Sequence, residues 1–308
     1  MILCVTANAA IDKTAVVSPF RLNEIHRPQQ VIALPGGKGC NVARALKQLG
    51  DASVVTGWVG GFAGQFIESG LNKEGIETAF VHVEGESRTC LSILDPENHT
   101  MTEVYEKGAA ISTEKLSELV ALFRATVENY EAVALSGSLP AGVPVDFYAQ
   151  LIEIARTVGV PVYLDASGEA LKHGLEAHPA LIKPNKTEFA DLVGSELKTV
   201  DEYVAAAQEL STRYDTEVIV SLGAEGAISV FHTLVYQAIP PSVNSISAVG
   251  SGDCLLAGIL YSMARHGNRM DQLRTGIAAG SANTLQLGAA IFTDEDFDQI
   301  YGQVTFKS

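Results

Sequence analysis

Ala248-Val249-Gly250-Ser251-Gly252-Asp253-Cys254-Leu255-Leu256-Ala257-Gly258 places a carboxylate at the mouth of an apolar helix, behind two glycines. The glycines let the backbone turn tightly and aim several N–H groups at one point. The positive end of the helix dipole adds to their field, so an anion fits there. An aspartate in this spot is a candidate base for a hydroxyl about to attack a phosphate, which points to phosphoryl transfer. A plain N-cap is the other reading of Asp253, but a cap needs no preceding Gly-Ser-Gly.

Outward from this stretch, short β-branched runs alternate with amphipathic helices, the pattern of an α/β fold with a mostly parallel sheet. Strands are expected at Ile2–Thr6, Ala52–Trp58, Ala132–Leu135, Val160–Leu164, Ala180–Lys183 and Val218–Leu222. Ser112 opens a helix whose Leu116, Leu119, Val120 and Phe123 share a face. Thr199 and Glu202 form a capping box for a helix through Leu210.

Two segments break the alternation. Lys13–Val17 and Val31–Leu34 read as isolated strands, and Arg88–Leu94 and Met101–Tyr105 flank the turn signal Asp95-Pro96-Glu97-Asn98. The hairpin implies a small second layer: residues 1–308 form one domain with lid strands inserted at about 12–35 and 88–106. The lid should cover the sheet's carboxyl edge, where open α/β sheets bind ligands.

The 308-residue chain is 47% hydrophobic, enough for one large domain or two modest ones. No stretch approaches the roughly 18 uncharged apolar residues of a membrane span. Met1–Thr6 lacks a basic leader and reads as a strand. Cys4, Cys40, Cys90 and Cys254 have no paired spacing, which fits reduced thiols in a cytoplasm and argues against a zinc site. With 21 basic and 36 acidic residues the net charge is −15, which disfavours nucleic acid and anionic membranes as partners. An anionic substrate therefore needs a local cationic cluster, for which Arg27, Lys38 and Arg88 are the candidates.

Other motifs carry weaker signals. Pro35-Gly36-Gly37-Lys38-Gly39-Cys40-Asn41 crowds glycines at the start of a helix with apolar face Val42, Ala45, Leu46 and Leu49. It is not a Walker loop, since Gly-x-x-x-x-Gly-Lys-Ser/Thr is absent. Either a ligand meets Lys38 and Asn41 there, or the segment is a strand-to-helix turn. Asn8 and Asp12, past the first strand, suit sugar hydroxyls or a simple turn. Asn185 and Glu188 in Lys183-Pro184-Asn185-Lys186-Thr187-Glu188 suit Mg²⁺ beside a nucleotide phosphate, or equally an N-cap with its capping-box glutamate. Ser221–Gly226 is either a nucleotide-wrapping turn or a hairpin loop, and Ser138 either faces substrate or sits in a turn.

In this order the segments resemble the PfkB carbohydrate kinase family with its ribokinase-like fold, a mostly parallel central sheet flanked by helices with a small β-sheet lid. The match runs from Asn8–Asp12 to Ala278-Ala279-Gly280-Ser281-Ala282-Asn283, and Gly36–Ala43 with Val249–Gly258 carries it. The resemblance implies that Asp253 is the general base and that Gly250, Ser251 and Gly252 form an anion hole. It implies sugar contacts from Asp12, Gly37, Lys38 and Asn41, and an ATP site at Lys183, Asn185, Ser221, Gly223, Gly226 and Asn283. Glu188 falls where the family organises Mg²⁺. Ala9, Ala248 and Cys254 depart from residues common in the family without removing a catalytic group.

The runs Glu86-Ser87-Arg88-Thr89 and Asp165–Leu171 look like the branch that phosphorylates sugars already carrying a phosphate. The implied reaction converts fructose 1-phosphate to fructose 1,6-bisphosphate; tagatose 6-phosphate is the nearest alternative and fructose 6-phosphate a further one. A sugar-phosphate sensor without catalysis is a third class, disfavoured by the intact Asp253. A homodimer through the lid strands is also expected.

Overall fold

The computed structural model describes residues 1–307. Its strands are β1 (Ile2–Thr6), β2 (Ala10–Val16), β3 (Gln30–Gly36), β4 (Ser53–Gly60), β5 (Glu77–Val83), β6 (Arg88–Asp95), β7 (Thr100–Tyr105), β8 (Ala132–Ser136), β9 (Val162–Asp165), β10 (Leu181–Ile182), β11 (Glu217–Ser221), β12 (Ala227–Phe231), β13 (Leu234–Ile239) and β14 (Thr305–Lys307). The helices are α1 (Lys38–Gln48), α2 (Gly61–Lys73), α3 (Thr113–Thr126), α4 (Phe147–Thr157), α5 (Gly168–Glu176), α6 (Lys186–Val193), α7 (Val200–Tyr214), α8 (Ser251–Met263), α9 (Arg269–Asn283) and α10 (Asp294–Tyr301).

A ten-stranded sheet runs β14-β13-β12-β11-β10-β9-β8-β1-β4-β5. It is parallel from β11 to β5 and antiparallel over its last strands. Every residue of β1, β4 and β8 is buried, as helices on both faces require. The period-2 alternation splits β1: Ile2 and Cys4 pack with α1, α8 and α9, while Leu3 and Val5 pack with α3 and α4. From β1 the chain steps outward to β4 and β5, then returns to β8 on the other side. β1 is thus the switch point, and Thr6, Ser136 and Asp165 stand in register at its crevice.

All six expected strands form, with ends shifted by a residue or two. Ser112 caps α3, and the Thr199–Glu202 capping box opens α7, which continues past Leu210 to Tyr214. The sequence reading missed β5, β12, β13 and β14. Of these, β12 and β13 join through His232-Thr233, where His232 takes the left-handed φ of 52° that usually calls for glycine or asparagine, so no turn signal marks the hairpin.

The small sheet has the order β3-β2-β6-β7. The strands read as isolated are in fact paired: β2 lies antiparallel to β3 over seven residues and parallel to β6. That pairing joins chain segments far apart in sequence, which local periodicity does not encode. Residues of both sheets line one cleft. All four cysteines are buried and free. Among the described residues no helix is long and apolar enough to cross a membrane.

Candidate active site

Gly250 caps α8 with φ 82°, so Asp253 is the third helical residue rather than the cap. A Cβ at Gly250 would lie 2.6 Å from the Ala290 nitrogen, so the turn requires glycine. The Ser251 N–H is taken by Ala248 O at 3.2 Å, whereas the Gly250 and Gly252 N–H groups have no acceptor among the described residues. These two amides and the start of a 13-residue apolar helix open onto the cleft.

Asn283, expected at the nucleotide, lies elsewhere. It is fully buried behind the loop, where Nδ2 donates to Val249 O at 2.8 Å and Ser251 Oγ at 3.1 Å, and Oδ1 accepts from the Ile291 N–H at 3.0 Å. Its amide pairs with the chain itself, and it holds the Val249–Ser251 turn in shape.

On the facing wall, α1 begins at Gly37, whose φ of 92° lets the strand β3 turn into the helix. One turn in, Asn41 Nδ2 donates to Asp253 Oδ2 at 2.9 Å and to Asp12 Oδ2 at 3.1 Å. A single amide thus bridges the carboxylate of β2 and the carboxylate of α8. The Gly37 N–H adds a long contact to Asp12 at 3.4 Å.

Burial pushes the Asp253 carboxyl up to about 7; nearby Asp165 adds to the rise, while Lys38, Asn41 and Lys183 oppose it. Burial also raises Asp12, against Asn41, Gly37, Arg44 and Arg88. Asp165 behaves oppositely. It is 1% exposed and meets Lys38 at 2.9 Å and Lys183 at 3.0 Å. Burial works against its charge, but Lys183 and Lys38 together hold its carboxyl below the ordinary range. Burial disfavours the Lys38 cation, yet Asp165, Asp253 and Glu188 around it keep it protonated. One carboxylate is therefore poised near neutrality while its neighbour stays ionised.

Lys183, Asn185, Ser221, Gly223 and Gly226 line the other half of the cleft, which measures about 1200 Å³. Asn185 and Ser221 bridge β10's exit to the end of β11. The Ser221–Gly226 turn is the hairpin loop between β11 and β12 and also part of the cleft wall. Asn185 and Glu188 form a complete capping box: the Glu188 N–H donates to Asn185 Oδ1 and the Asn185 N–H to Glu188 Oε2, both at 2.9 Å. Glu188 lines the cleft, but no group of three metal-ligating side chains occurs among the described residues. A lone carboxylate suits a magnesium ion that takes its remaining ligands from phosphate oxygens and water.

Gly37, Lys38, Asn41, Arg88 and Ser138 all reach the cleft with Asp12 and Asp253. Arg27 does not: it is exposed in the connection between β2 and β3, outside the cleft lining. Lys13 also belongs to the cleft lining, but it follows Asp12 on β2 and stands in register with Leu91, on the face opposite Asp12 and Arg88. Arg88 gives its Nε to Asn8 O at 3.2 Å, and neither Nη group has an acceptor among the described residues. The sequence reading also passed over Arg44, although an arginine among Val42, Ala43, Ala45 and Leu46, three residues after Asn41, is itself a signal.

Residues 3–296 match the sequence model of the pfkB family carbohydrate kinases. The chain is similar to phosphofructokinase-2 of Escherichia coli, solved in complex with substrates and products: 31% identity over 98% of both chains, TM-score 0.91. It is equally similar to a possible 1-phosphofructokinase of Thermotoga maritima, with 30% identity over 100% of this chain and 99% of that one, and a TM-score of 0.92.

Proposed function

This chain belongs to the pfkB family of carbohydrate kinases, and on that premise we propose that it moves the γ-phosphoryl group of ATP to a ketohexose monophosphate, with fructose 1-phosphate as the acceptor and fructose 1,6-bisphosphate as the product. The observation that carries this reading is the meeting of Asp253, the amides of Gly250 and Gly252, and the small-sheet cation Arg88 in one cleft.

Asp12 and Asn41 hold the sugar hydroxyls. Asp253, poised at about 7, accepts the proton of the attacking hydroxyl through its carboxylate. The Gly250–Gly252 loop and the α8 terminus steady the charge on the transferring group. Lys38, fixed by Asp165, keeps a positive charge beside both. Arg88 grips the phosphate the sugar already carries through its guanidinium fork. Because Arg88 stands on the small sheet, that grip favours the lid lying over the site and keeping water out.

The ATP site lies between Lys183, Asn185, Ser221 and Gly223, with the base against the apolar end formed by Pro240, Val243 and Ile277. Glu188 would hold Mg²⁺ together with the nucleotide's own oxygens. The ion would neutralise charge between the outer phosphates.

A second acceptor is favoured by one comparison: phosphofructokinase-2 of E. coli, 31% identical, is also solved in complex with fructose-6-phosphate. Fructose 6-phosphate and tagatose 6-phosphate carry their phosphate at the end opposite to fructose 1-phosphate. ADP release from MgATP, compared side by side on the three sugars, separates the readings. Highest kcat/KM on fructose 1-phosphate supports the leading one, and turnover on none of them removes it.

We also propose a homodimer through the lid, where Leu22, Ile25, Val31 and Val104 are 82%, 89%, 48% and 56% exposed. A monomeric sedimentation profile at micromolar protein would contradict it.

A further inference from the structure

Arg44 follows Asn41 by one turn of α1 and is 6% exposed. Its guanidinium is fully engaged. Nε and Nη2 fork onto the Glu74 carboxylate at 2.8 and 3.1 Å, and Nη2 also reaches Pro35 O. Nη1 donates to Asn41 Oδ1 at 3.1 Å and, at a longer 3.4 Å, to Ala289 O. A buried cation with this many partners is expensive to desolvate, and Arg44 does not itself line the cleft; of its partners only Asn41 does.

Its effect passes through Asn41. The amide of an asparagine has two orientations of nearly the same shape. In one, Nδ2 lies between the carboxylates of Asp12 and Asp253, as observed. In the other, Oδ1 would face two acceptors and repel both. Arg44 has donors only, so it selects the first orientation. It also ties Pro35, which enters the glycine turn of α1, to Ala289, which packs against Gly250. The two walls of the acceptor site are thereby braced against one another.

Resting on the kinase reading, we propose that Arg44, held by Glu74, is the positioning residue of the proton-accepting site, fixing the Asn41 amide so that one NH₂ group serves both Asp12 and Asp253. A hydroxyl bound at Asp12 is then kept in register with the base by a single rigid amide.

The groups acting on Asp253 are Asn41 and Lys38 from α1, Asp165 from β9, and Lys183 beyond β10, with Cys254 adjacent on α8. Asp12 feels Asn41, the Gly37 N–H, Arg44 and Arg88. Substitution at Arg44 or Glu74 leaves Lys38, Asp165 and Lys183 in place, so a change at Asp253 reads the amide.

The test is a ¹³C NMR titration of aspartate carboxyls in the full chain, with the Asp253 signal assigned by Asp253→Asn. Lysine lacks the planar fork, so in Arg44→Lys the Asp253 midpoint moves up by roughly one unit. Glu74→Gln, at a partly exposed position, moves it in the same direction by less. The acid limb of kcat/KM for the sugar phosphate follows, while the KM for ATP stays within about twofold. An unmoved midpoint in Glu74→Gln and in any folded Arg44→Lys overturns the proposal, whatever happens to thermal stability. The midpoint needs no substrate, so failure of all three sugars to turn over would remove the kinase reading and leave this result standing.

Discussion

Lys38 Nζ lies 2.9 Å from Asp165 Oδ1, and Lys183 Nζ meets the other oxygen of the same carboxylate at 3.0 Å. Asp165 is thus the counter-ion of two lysines and a like-charged neighbour of Asp253. Substituting the two ends of the Lys38–Asp165 pair should move the base in opposite directions. Lys38→Met removes a cation that favours ionised Asp253, so the acid limb of kcat/KM shifts to higher pH. Asp165→Asn removes a repelling anion, so the limb shifts to lower pH. It also strands two lysines, one of them buried, at a cost of about 3–5 kcal/mol in unfolding free energy. Shifts of the same sign in both variants would contradict this arrangement.

The raised Asp253 also enters stability. Between its unfolded value near 3.8 and its folded value of about 7, the native state binds more protons than the unfolded one. Its contribution is therefore complete at low pH and is lost as pH rises through that window. Asp165, with its lowered value, keeps its full contribution across this window and loses it only as pH falls below it, so it does not change the slope here. The Tm of Asp253→Asn relative to the parent should increase from pH 5 to pH 8. A difference that is flat or falling would mean that Asp253 ionises without strain.

Arg88 reaches the cleft with two Nη groups that have no partner among the described residues. Arg88→Ala should raise the KM for the sugar phosphate about tenfold or more, the range of a charge-assisted fork, with little change in the KM for ATP. Initial rates with each substrate varied in turn decide this. Equal effects on both KM values would remove its role in holding the sugar's phosphate.

Asn283 makes three hydrogen bonds behind the anion loop. Asn283→Ala leaves buried polar groups unpaired and should cost about 2–3 kcal/mol of stability in urea unfolding. It should also lower kcat more than it alters the KM for ATP, because the loop loosens while the nucleotide walls remain. A selective loss of ATP affinity would return Asn283 to the nucleotide.

The parallel layers were legible from the sequence because strands buried on both faces announce themselves as apolar runs, as in β1 and β8. The glycine turns at the starts of α1 and α8 were legible, with Gly37 and Gly250 at φ 92° and 82°, but the local sequence left ligand and plain-turn readings of Lys38 and Asn41 equally open. The lid pairing was not, since the β2–β6 ladder joins residues some eighty positions apart. The role of Asn283 was hidden because an amide facing a ligand and one bracing a loop look the same in sequence. Arg27 illustrates the same limit for charges: only the path of the β2–β3 connection decides that it stays outside the cleft lining.

The most direct measurement is the turnover of Asp253→Asn with MgATP and the preferred ketohexose phosphate, alongside its affinity for ATP alone. Loss of the base should lower kcat at least about 10²-fold while ATP binds as before. A rate close to that of the parent protein would contradict the assignment of Asp253 and, with it, the reading of the cleft.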